Sequence, residues 1–262
     1  MHFIVCIKQV PDGADVEIDE EKGVLKREGV ESKLNLYDAH ALEAAVALKE
    51  RYGGTVTVLS MGPPQAEAII KEAYTLGADN GYLLSDRKFA GADTLATSYT
   101  LSQAIRSLPK ADLIFCGMQT TDGDTAQVGP GIAELLEIPH VSYVAKIHDL
   151  SDNSVTVDAD MGDGILELKV ELPCLLTVTK DINQPRLPSY RLKKVTSDRA
   201  INVWDSQALS GANEEYLGLS GSPTQVERIF PPPKGDEKEL WQGNPQELSR
   251  RFYEKLKELK YV

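Results

Sequence analysis

The stretch best suited to chemistry is Gly117–Pro130, which reads GMQTTDGDTAQVGP. It follows an apolar run, Asp112–Cys116, that is typical of a buried strand, and it precedes a helical pattern at Gly131–Leu136. Small and hydroxyl residues let such a loop wrap closely around a ligand with its backbone N–H groups turned inward. A helix N-terminus beside it favours a phosphate or pyrophosphate. Because both the G-x-G-x-x-G and the P-loop patterns are missing, a phosphate cradle and a generic polar loop both remain open.

Two further segments are expected at the same edge of a sheet. Gln9–Gly13 and Ser60–Pro64 each follow an apolar strand and contain Pro or Gly, so both are placed to border an adenosine pocket. Asn35 and Asp38 stand at the entry of a helix and offer hydrogen bonds to a base or ribose, with helix capping as the alternative role. Together these strand ends favour a nucleotide site more strongly than any one of them does alone.

The sequence does not indicate a protein nucleophile. It contains no H-E-x-x-H or G-x-S-x-G motif, and no carboxylate pair stands out as an acid and base. Cys6, Cys116 and Cys174 are far apart in apolar runs, which predicts buried reduced thiols and neither a zinc site nor a disulfide framework. The four histidines are scattered, so no metal is predicted. Any redox or transfer chemistry would therefore be carried by a bound cofactor.

Charge and hydropathy exclude two classes of partner. The 262 residues carry a formal net charge of −12, the wrong sign for a nucleic-acid binder, and the basic residues of Arg186–Lys194 form one short patch. Apolar stretches such as Leu172–Val178 are far shorter than the roughly 20 residues that span a bilayer. The first residues show no secretory signal. We expect a cytoplasmic protein without membrane insertion, or one in an organelle matrix if a transit peptide has been removed.

Alternating apolar strands and helical patterns predict the fold class. The sequence predicts an α/β protein with a doubly wound, mostly parallel nucleotide-binding sheet, whose ligands bind at the carboxyl ends of the strands. The strands are predicted at His2–Val10, Thr55–Leu59, Gly81–Leu84 and Asp112–Cys116, and the helices at Asp38–Arg51, Pro64–Leu76 and Asp93–Leu108.

The pattern changes after about residue 140. Ser154–Asp158 and Ile165–Glu171 alternate around Asp163-Gly164, which predicts an antiparallel hairpin, and the apolar strand Cys174–Thr179 follows. We expect these strands to extend the same sheet.

The C-terminal part differs from the rest in composition. Residues 197–243 show little core-forming pattern and include the stiff Pro231–Pro233, and an amphipathic helix is predicted at Pro245–Leu259. We therefore divide the chain into an α/β nucleotide- or flavin-binding domain, residues 1–196, and a long arm with a helix, residues 197–262. Docking of the arm on another subunit is favoured, and folding back on its own domain is the alternative.

Several of these segments are similar to those of a known family. They are Val5–Asp12, Asn35–Glu43, Ser60–Pro63, Leu76–Gly81, Gly117–Pro130 and Glu167–Arg186, the last with Leu-Pro before an apolar strand and then Asn-x-Pro-Arg. On these stretches the chain resembles the β subunit of electron transfer flavoprotein over nearly its whole length. The resemblance implies a heterodimer with an α subunit that carries one FAD. It also implies an edge pocket that holds AMP in ordinary members, or the ADP part of a second FAD, reduced by NADH, in the electron-bifurcating branch.

Carried onto this sequence, the resemblance implies specific pocket and partner residues. Partner recognition would fall to Leu187, Tyr190, Arg191, Lys193 and Lys194, where PRLPSYRLKKV departs from the family's Leu-Pro-x-Ile-Met-Lys run. The cofactor-binding residues would be Cys6, Asn35, Leu36, Tyr37, Asp38, Met61, Pro63, Gln119, Thr120, Thr121, Asp122, Gly123, Asp124, Thr125, Ala126, Gln127, Val128, Gly129 and Pro130.

The loop sequence bears on which branch this is. It reads DGDTAQVGP, whereas AMP-binding members tend toward DDDCNQTGQ, so Gly123 removes bulk and charge where a dinucleotide needs room. This favours the bifurcating branch, with loop variation unrelated to the ligand as the alternative. Backbone N–H groups of Thr125–Gly129 would then hold the pyrophosphate. Asp122 or Asp124 would order the loop, because a carboxylate repels phosphate.

The resemblance also implies redox partners. In the bifurcating branch these are a ferredoxin or flavodoxin and a flavin-dependent dehydrogenase of acyl-CoA or 2-hydroxy-acid type, toward which Leu187 and Tyr190 would serve as apolar anchors. One alternative is a non-bifurcating electron shuttle whose β subunit holds structural AMP. Another is an adenine-nucleotide-binding sensor of similar fold.

Overall fold

The computed structural model describes residues 1–12, 18–19, 24–25, 32–227 and 239–262. Gly13 and the Pro231–Pro233 segment lie outside these residues. The helices are α1 (Leu36–Tyr52), α2 (Glu67–Leu76), α3 (Thr94–Ser107), α4 (Val128–Leu136), α5 (Tyr190–Val195) and α6 (Pro245–Glu258). The strands are β1 (His2–Cys6), β2 (Gln9–Pro11), β3 (Ile18–Asp19), β4 (Val24–Leu25), β5 (Ser32–Leu34), β6 (Thr55–Met61), β7 (Asn80–Leu84), β8 (Leu113–Gly117), β9 (His140–Leu150), β10 (Ser154–Asp160), β11 (Ile165–Glu171), β12 (Cys174–Val178) and β13 (Asn202–Trp204).

A nine-stranded sheet in the order β11-β10-β9-β12-β8-β1-β6-β7-β13 forms the centre of the molecule. The strands from β9 to β13 in this order pair in parallel, and apolar residues such as Leu113 and Leu176 fill their interior. Helices α1 and α2 cover one face through Leu42 and Ile70, and α3 and α4 cover the other through Leu101 and Ile132. The predicted doubly wound α/β sheet is confirmed. No helix in the described ranges has the length and apolar character needed to cross a membrane.

The antiparallel extension is confirmed with one strand more than predicted. The β10–β11 hairpin pairs Ser154 with Glu171 at its base, and β10 also pairs antiparallel with β9, which the sequence analysis did not identify. The prediction of one strand over His2–Val10 is wrong, because β1 ends at Cys6 and β2 pairs with β5 in a separate two-stranded sheet. The chain leaves the large sheet where the Lys8 N–H donates to the Asp38 carboxylate instead of to a strand carbonyl.

The segment after residue 196 contributes more to the sheet than its composition indicates. The short strand β13 pairs in parallel with β7, and Leu209 and Leu217 are buried in the core beside α3. By contrast, every side chain of α6 stays at least partly exposed, including Phe252 on its apolar stripe at 57%. Division of the chain at residue 196 and docking of the arm on a second subunit stay predictions.

Candidate functional site

The candidate site lies at the carboxyl ends of the parallel strands, where the loop of residues 118–127 joins β8 to α4. The Met118 N–H donates to the carbonyl of Val178, which anchors the start of the loop on β12. Helix α4 begins at Val128, three residues earlier than the predicted Gly131, because Gly129 and Pro130 fit a first helical turn. Val128, Gly129 and Pro130 therefore belong to the helix N-terminus rather than to the loop.

Asn35 holds the start of this loop. Its Nδ2 donates to the carbonyl of Gln119 at 2.9 Å, and its Oδ1 accepts the N–H of Thr121 at 3.2 Å. Asn35 is fully buried and occupies the N-cap position of α1, but its side chain makes no capping bond. The capping role considered for Asn35 is therefore wrong, since its amide is used to fix the loop.

Asp38 is a buried carboxylate beneath the loop. It accepts the backbone N–H of Lys8 at 2.7 Å through Oδ2 and that of Gly117 at 3.2 Å through Oδ1. Burial raises the pKa of Asp38 to about 7, although hydrogen bonds from Asn35 and from these two backbone groups act in the opposite direction. Asp38 thus joins the ends of β1 and β8, the two neighbouring strands that frame the site.

Lys8 and Asp122 form an ion pair across the site. The Lys8 Nζ lies 2.9 and 2.8 Å from the two carboxylate oxygens of Asp122. Burial acts to raise the pKa of Asp122, but hydrogen bonds from Lys8 and Thr120 and the charge of Lys8 together lower it. The carboxylate stays ionised and is neutralised locally, which removes much of its repulsion toward a phosphate.

The second acidic residue also orders the loop. Asp124 accepts the side-chain N–H of Gln119 at 2.9 Å, and its own N–H donates to the carbonyl of Thr120. Asp124 and Ala126 adopt φ values of 49° and 54°, a left-handed conformation that non-glycine residues rarely take. These bonds fit the prediction that Asp122 or Asp124 orders the loop, and the expectation that neither touches phosphate stays a prediction.

This conformation leaves a run of backbone donors without partners. Within the described residues, none of the N–H groups of Thr125–Gly129 donates a hydrogen bond. The Gln127 side chain does not cap α4, since its Oε1 instead accepts the hydroxyl of Thr94. Backbone donors at an uncapped helix N-terminus form a site that suits an anionic oxygen.

Glycines show which parts of the site are closely packed. A Cβ on Gly117 would lie 2.5 Å from Asp38 Oδ1, and one on Gly129 would lie 2.5 Å from Thr177 Cγ2. A Cβ on Gly123 would have Thr120 Oγ1 at 3.6 Å as its nearest neighbour, which is ordinary contact. Packing within this chain therefore does not require a glycine at position 123.

The other predicted pocket residues lie at the neighbouring strand ends. Cys6 and Cys116 are both buried, and a hydrogen bond with Cys6 together with burial raises the pKa of Cys116 well above its usual value. Met61 packs against the core cluster beside α3, and Pro63 is exposed. None of these four residues hydrogen-bonds to the loop in the described part of the chain, so their contact with a ligand stays a prediction.

The sequence analysis missed Lys8 and included Ser60 only as the first residue of the segment Ser60–Pro64. Lys8 lies two residues beyond β1, and its pairing with Asp122, 114 positions away, has no local signal. Ser60 is fully buried near the end of β6, and its Oγ has no hydrogen-bond partner among the described residues. The position of Ser60 at the end of an apolar strand is the signal that placed its segment at the pocket, and the structure adds that its hydroxyl is buried.

A cavity of about 210 Å³ lies elsewhere, at the opposite edge of the sheet. Its charged lining residues are paired with other protein groups, with Lys49 bound to Asp79 and Arg186 bound to Glu50. We therefore place the candidate site at the strand ends, where the N–H groups of Thr125–Gly129 have no partner among the described residues, and not in this cavity.

The Asn-x-Pro-Arg motif fixes the predicted recognition segment on α1. The side chain of Asn183 donates to the carbonyl of His40, and the Arg186 guanidinium binds Glu43 and Glu50 at 2.6–3.0 Å. These hydrogen bonds raise the pKa of Arg186 and hold it charged. The residues beyond it are exposed on the surface: Leu187, Tyr190, Arg191, Lys193 and Lys194.

Comparison with known proteins agrees with this arrangement. A family model for the electron transfer flavoprotein domain matches residues 22–209. The chain belongs to the electron transfer flavoprotein family. It is 44% identical over 262 residues to the electron transfer flavoprotein subunit beta of Clostridium acetobutylicum, covering 100% of both chains.

Two further relatives carry other names. Subunit CarD of the caffeyl-CoA reductase-Etf complex of Acetobacterium woodii is 45% identical over 260 residues, 98% of each chain. Protein FixA of Bradyrhizobium diazoefficiens is 46% identical over 239 residues, 89% of this chain and 83% of that protein. The chain therefore has an electron transfer flavoprotein β-subunit role.

Proposed function

We propose that this β subunit pairs with an α subunit and binds FAD at the carboxyl ends of its strands. When bound, the flavin would accept hydride from NADH and allow the two electrons to go separately to a ferredoxin or flavodoxin and to a flavin-dependent dehydrogenase. The residues of this chain would bind and orient the cofactor and contribute no nucleophile. A cytoplasmic location fits these partners and stays a prediction.

The observation that carries the proposal is the run of N–H groups at Thr125–Gly129, which donate to no group within the described ranges. Their number suits a pyrophosphate, which offers several anionic oxygens along a short path, and the dipole of α4 adds to the attraction. The buried Ser60 hydroxyl, which has no hydrogen-bond partner in the part of the chain that the structure describes, provides one more polar group at the same strand ends. The Lys8–Asp122 pair keeps the nearby carboxylate from opposing the bound anion.

The glycine at position 123 supports FAD over AMP. A glycine here adds neither bulk nor charge to the loop, where AMP-binding members tend to carry an acidic residue, and no close packing within this chain requires it. The runner-up is an electron shuttle with AMP in the pocket, which the same N–H groups could also bind through a single phosphate. The two differ in the nucleotide found and not in the fold.

Partner binding is proposed for two exposed surfaces. The first is the segment from Leu187 to Lys194, where an apolar and a basic surface coincide on a segment that Arg186 holds in place. This suits a dehydrogenase with an acidic docking face, of acyl-CoA or 2-hydroxy-acid type. The second is the exposed apolar stripe of α6, which we assign to the α subunit; CarD is likewise a subunit of a reductase–Etf complex.

The deciding experiment is a nucleotide count on the complex purified with its own α subunit. Acid denaturation followed by chromatography should release two FAD and no AMP per heterodimer. A matched Gly123→Asp complex should lose FAD from this subunit and keep the α-subunit FAD, because the new carboxylate adds bulk and negative charge beside the proposed pyrophosphate. One FAD and one AMP would refute the FAD proposal and leave the shuttle. Absence of flavin in a folded complex would refute both.

A further inference from the structure

Three chemically distinct ligand groups meet at the antiparallel end of the sheet, away from the nucleotide site. His148 on β9, Asp158 on β10 and Glu167 on β11 each place one side-chain ligand atom within 4.8 Å of the others. The Nε2 of His148 lies 2.8 Å from Asp158 Oδ1 and 3.9 Å from Glu167 Oε2. Among the described residues this is the one such group of three.

The strand register makes this cluster unfavourable in isolation. Asp158 and Glu167 are directly opposite each other in the β10–β11 pair, where two like charges destabilise a sheet. Lys146 and Lys169 point to the same side of the sheet by register, yet in the described part of the chain neither pairs with these carboxylates within 4.0 Å. Lys146 is the register partner of Asp158 on β9, yet among the described residues His148 is the one basic side chain within 4.0 Å of either carboxylate.

A β-bulge brings the histidine to them. Thr156 pairs with Asp149 and Val157 with Ile147, so His148 is the extra residue in β9. Bulges of this kind redirect a side chain and are frequent beside functional sites. Here the bulge places an imidazole next to two carboxylates that come from two further strands.

The environment of the His148 Nε2 also points to a bound cation. This atom is inaccessible to solvent, and it makes no hydrogen bond with acceptable geometry to any described residue, although Asp158 Oδ1 is close. Two ligands bound to one tetrahedral zinc at about 2.0–2.1 Å lie about 3.3 Å apart. The separations of 2.8 and 3.9 Å lie on either side of this value. The shorter one is also the distance of an ordinary histidine–carboxylate ion pair, so the metal site is inferred from the convergence of three ligand atoms and not from this distance.

We propose that His148, Asp158 and Glu167 bind a divalent first-row transition metal of the zinc class. One imidazole nitrogen and two carboxylate oxygens match the ligands that zinc accepts, and water would complete the tetrahedron. The metal would join β9, β10 and β11 and neutralise the opposed carboxylates. Its role is structural, and it is independent of the flavin proposal because no residue is shared with the nucleotide site.

The test uses the full chain, treated with a chelator and then titrated with zinc. We expect one zinc per chain by calorimetry, a higher thermal midpoint when zinc is present, and a Co²⁺ visible spectrum without a thiolate band. His148→Gln and Asp158→Asn should each weaken zinc binding at least about tenfold, since even indirect partners of a metal contribute that much. His140→Gln, an exposed histidine on the same strand, is the matched control and should bind as the wild type does.

Two results would overturn the proposal. One is a wild-type chain that binds no zinc at micromolar concentrations. The other is zinc binding that persists in folded His148→Gln and Asp158→Asn chains, which would place the metal elsewhere. Circular dichroism of each variant separates loss of binding from loss of fold, and Glu167→Gln supplies a third variant at a more exposed position.

Discussion

Replacement of Asn35 by alanine tests whether one buried amide holds the nucleotide loop in place. The change removes the bonds to the Gln119 carbonyl at 2.9 Å and to the Thr121 N–H at 3.2 Å, inside a fully buried position. Each net hydrogen bond contributes about 1 kcal/mol, and buried groups left without partners add to the loss. We expect the free energy of unfolding to fall by about 2–3 kcal/mol.

The assay is urea unfolding of the wild-type and variant chains, together with nucleotide affinity by calorimetry. Asn202→Ala is the matched control, because its amide bonds to the Gly81 carbonyl at the far edge of the sheet and does not touch the loop. The Asn35 variant should also bind nucleotide at least about tenfold more weakly, since the N–H groups of Thr125–Gly129 lose their fixed positions. An Asn35 variant as stable as the control, with unchanged affinity, would refute the assigned role.

Three other predictions follow from the same site and its surroundings. Burial raises the pKa of Asp38 to about 7 from an ordinary 3.8. Between these two pH values the folded state keeps a proton that the unfolded state has released. The free energy of unfolding should therefore fall as the pH rises from 3.8 to about 7, by up to about 1.4 kcal/mol per pH unit. Asp38→Asn should remove this slope in urea titrations at several pH values, and a slope that persists would assign it to another group. Gly117→Ala should lower the free energy of unfolding by about 2 kcal/mol, because its Cβ would lie 2.5 Å from the Asp38 carboxylate oxygen. Gly123→Ala should be tolerated, because its Cβ would lie 3.6 Å from the nearest atom. Equal urea midpoints for the two variants would contradict this packing argument. Leu187→Ser and Tyr190→Ser should leave stability unchanged, since these side chains are 87% and 72% exposed. Each should raise the KM for the partner dehydrogenase about tenfold in a coupled reduction assay. Unchanged KM values would show that this segment is not part of the interface.

Most of the central sheet was predictable because its strands are short apolar runs with clear ends. The run Asp112–Cys116 became β8, and the hairpin around Asp163-Gly164 became β10 and β11. Strand β9 was not predictable in this way, since two register shifts interrupt its alternation and polar residues such as Lys146 and His148 occupy its middle. Period-two patterns fail where a bulge moves a residue from one face to the other.

The site was predictable in position but not in its internal contacts. The loop after β8 was identified from its composition and from the strand and helix beside it. The role of Asn35 was not, because an asparagine before a helix is most often a cap and the sequence does not reveal a competing partner 84 positions away. Pairing of Lys8 with Asp122 is a tertiary contact of the same kind, so only the folded chain could reveal it.

These distant contacts set the order in which the molecule can assemble. The loop is held by residues 84 and 114 positions earlier in the chain, and its strand β8 also pairs with β12, which is synthesised about sixty residues later. Contacts this far apart in sequence form late and slow a folding reaction. The anion-binding conformation therefore belongs to the completed sheet. A growing chain that ends before β12 should therefore not bind a nucleotide. A separate fragment that begins after α1 should not bind one either.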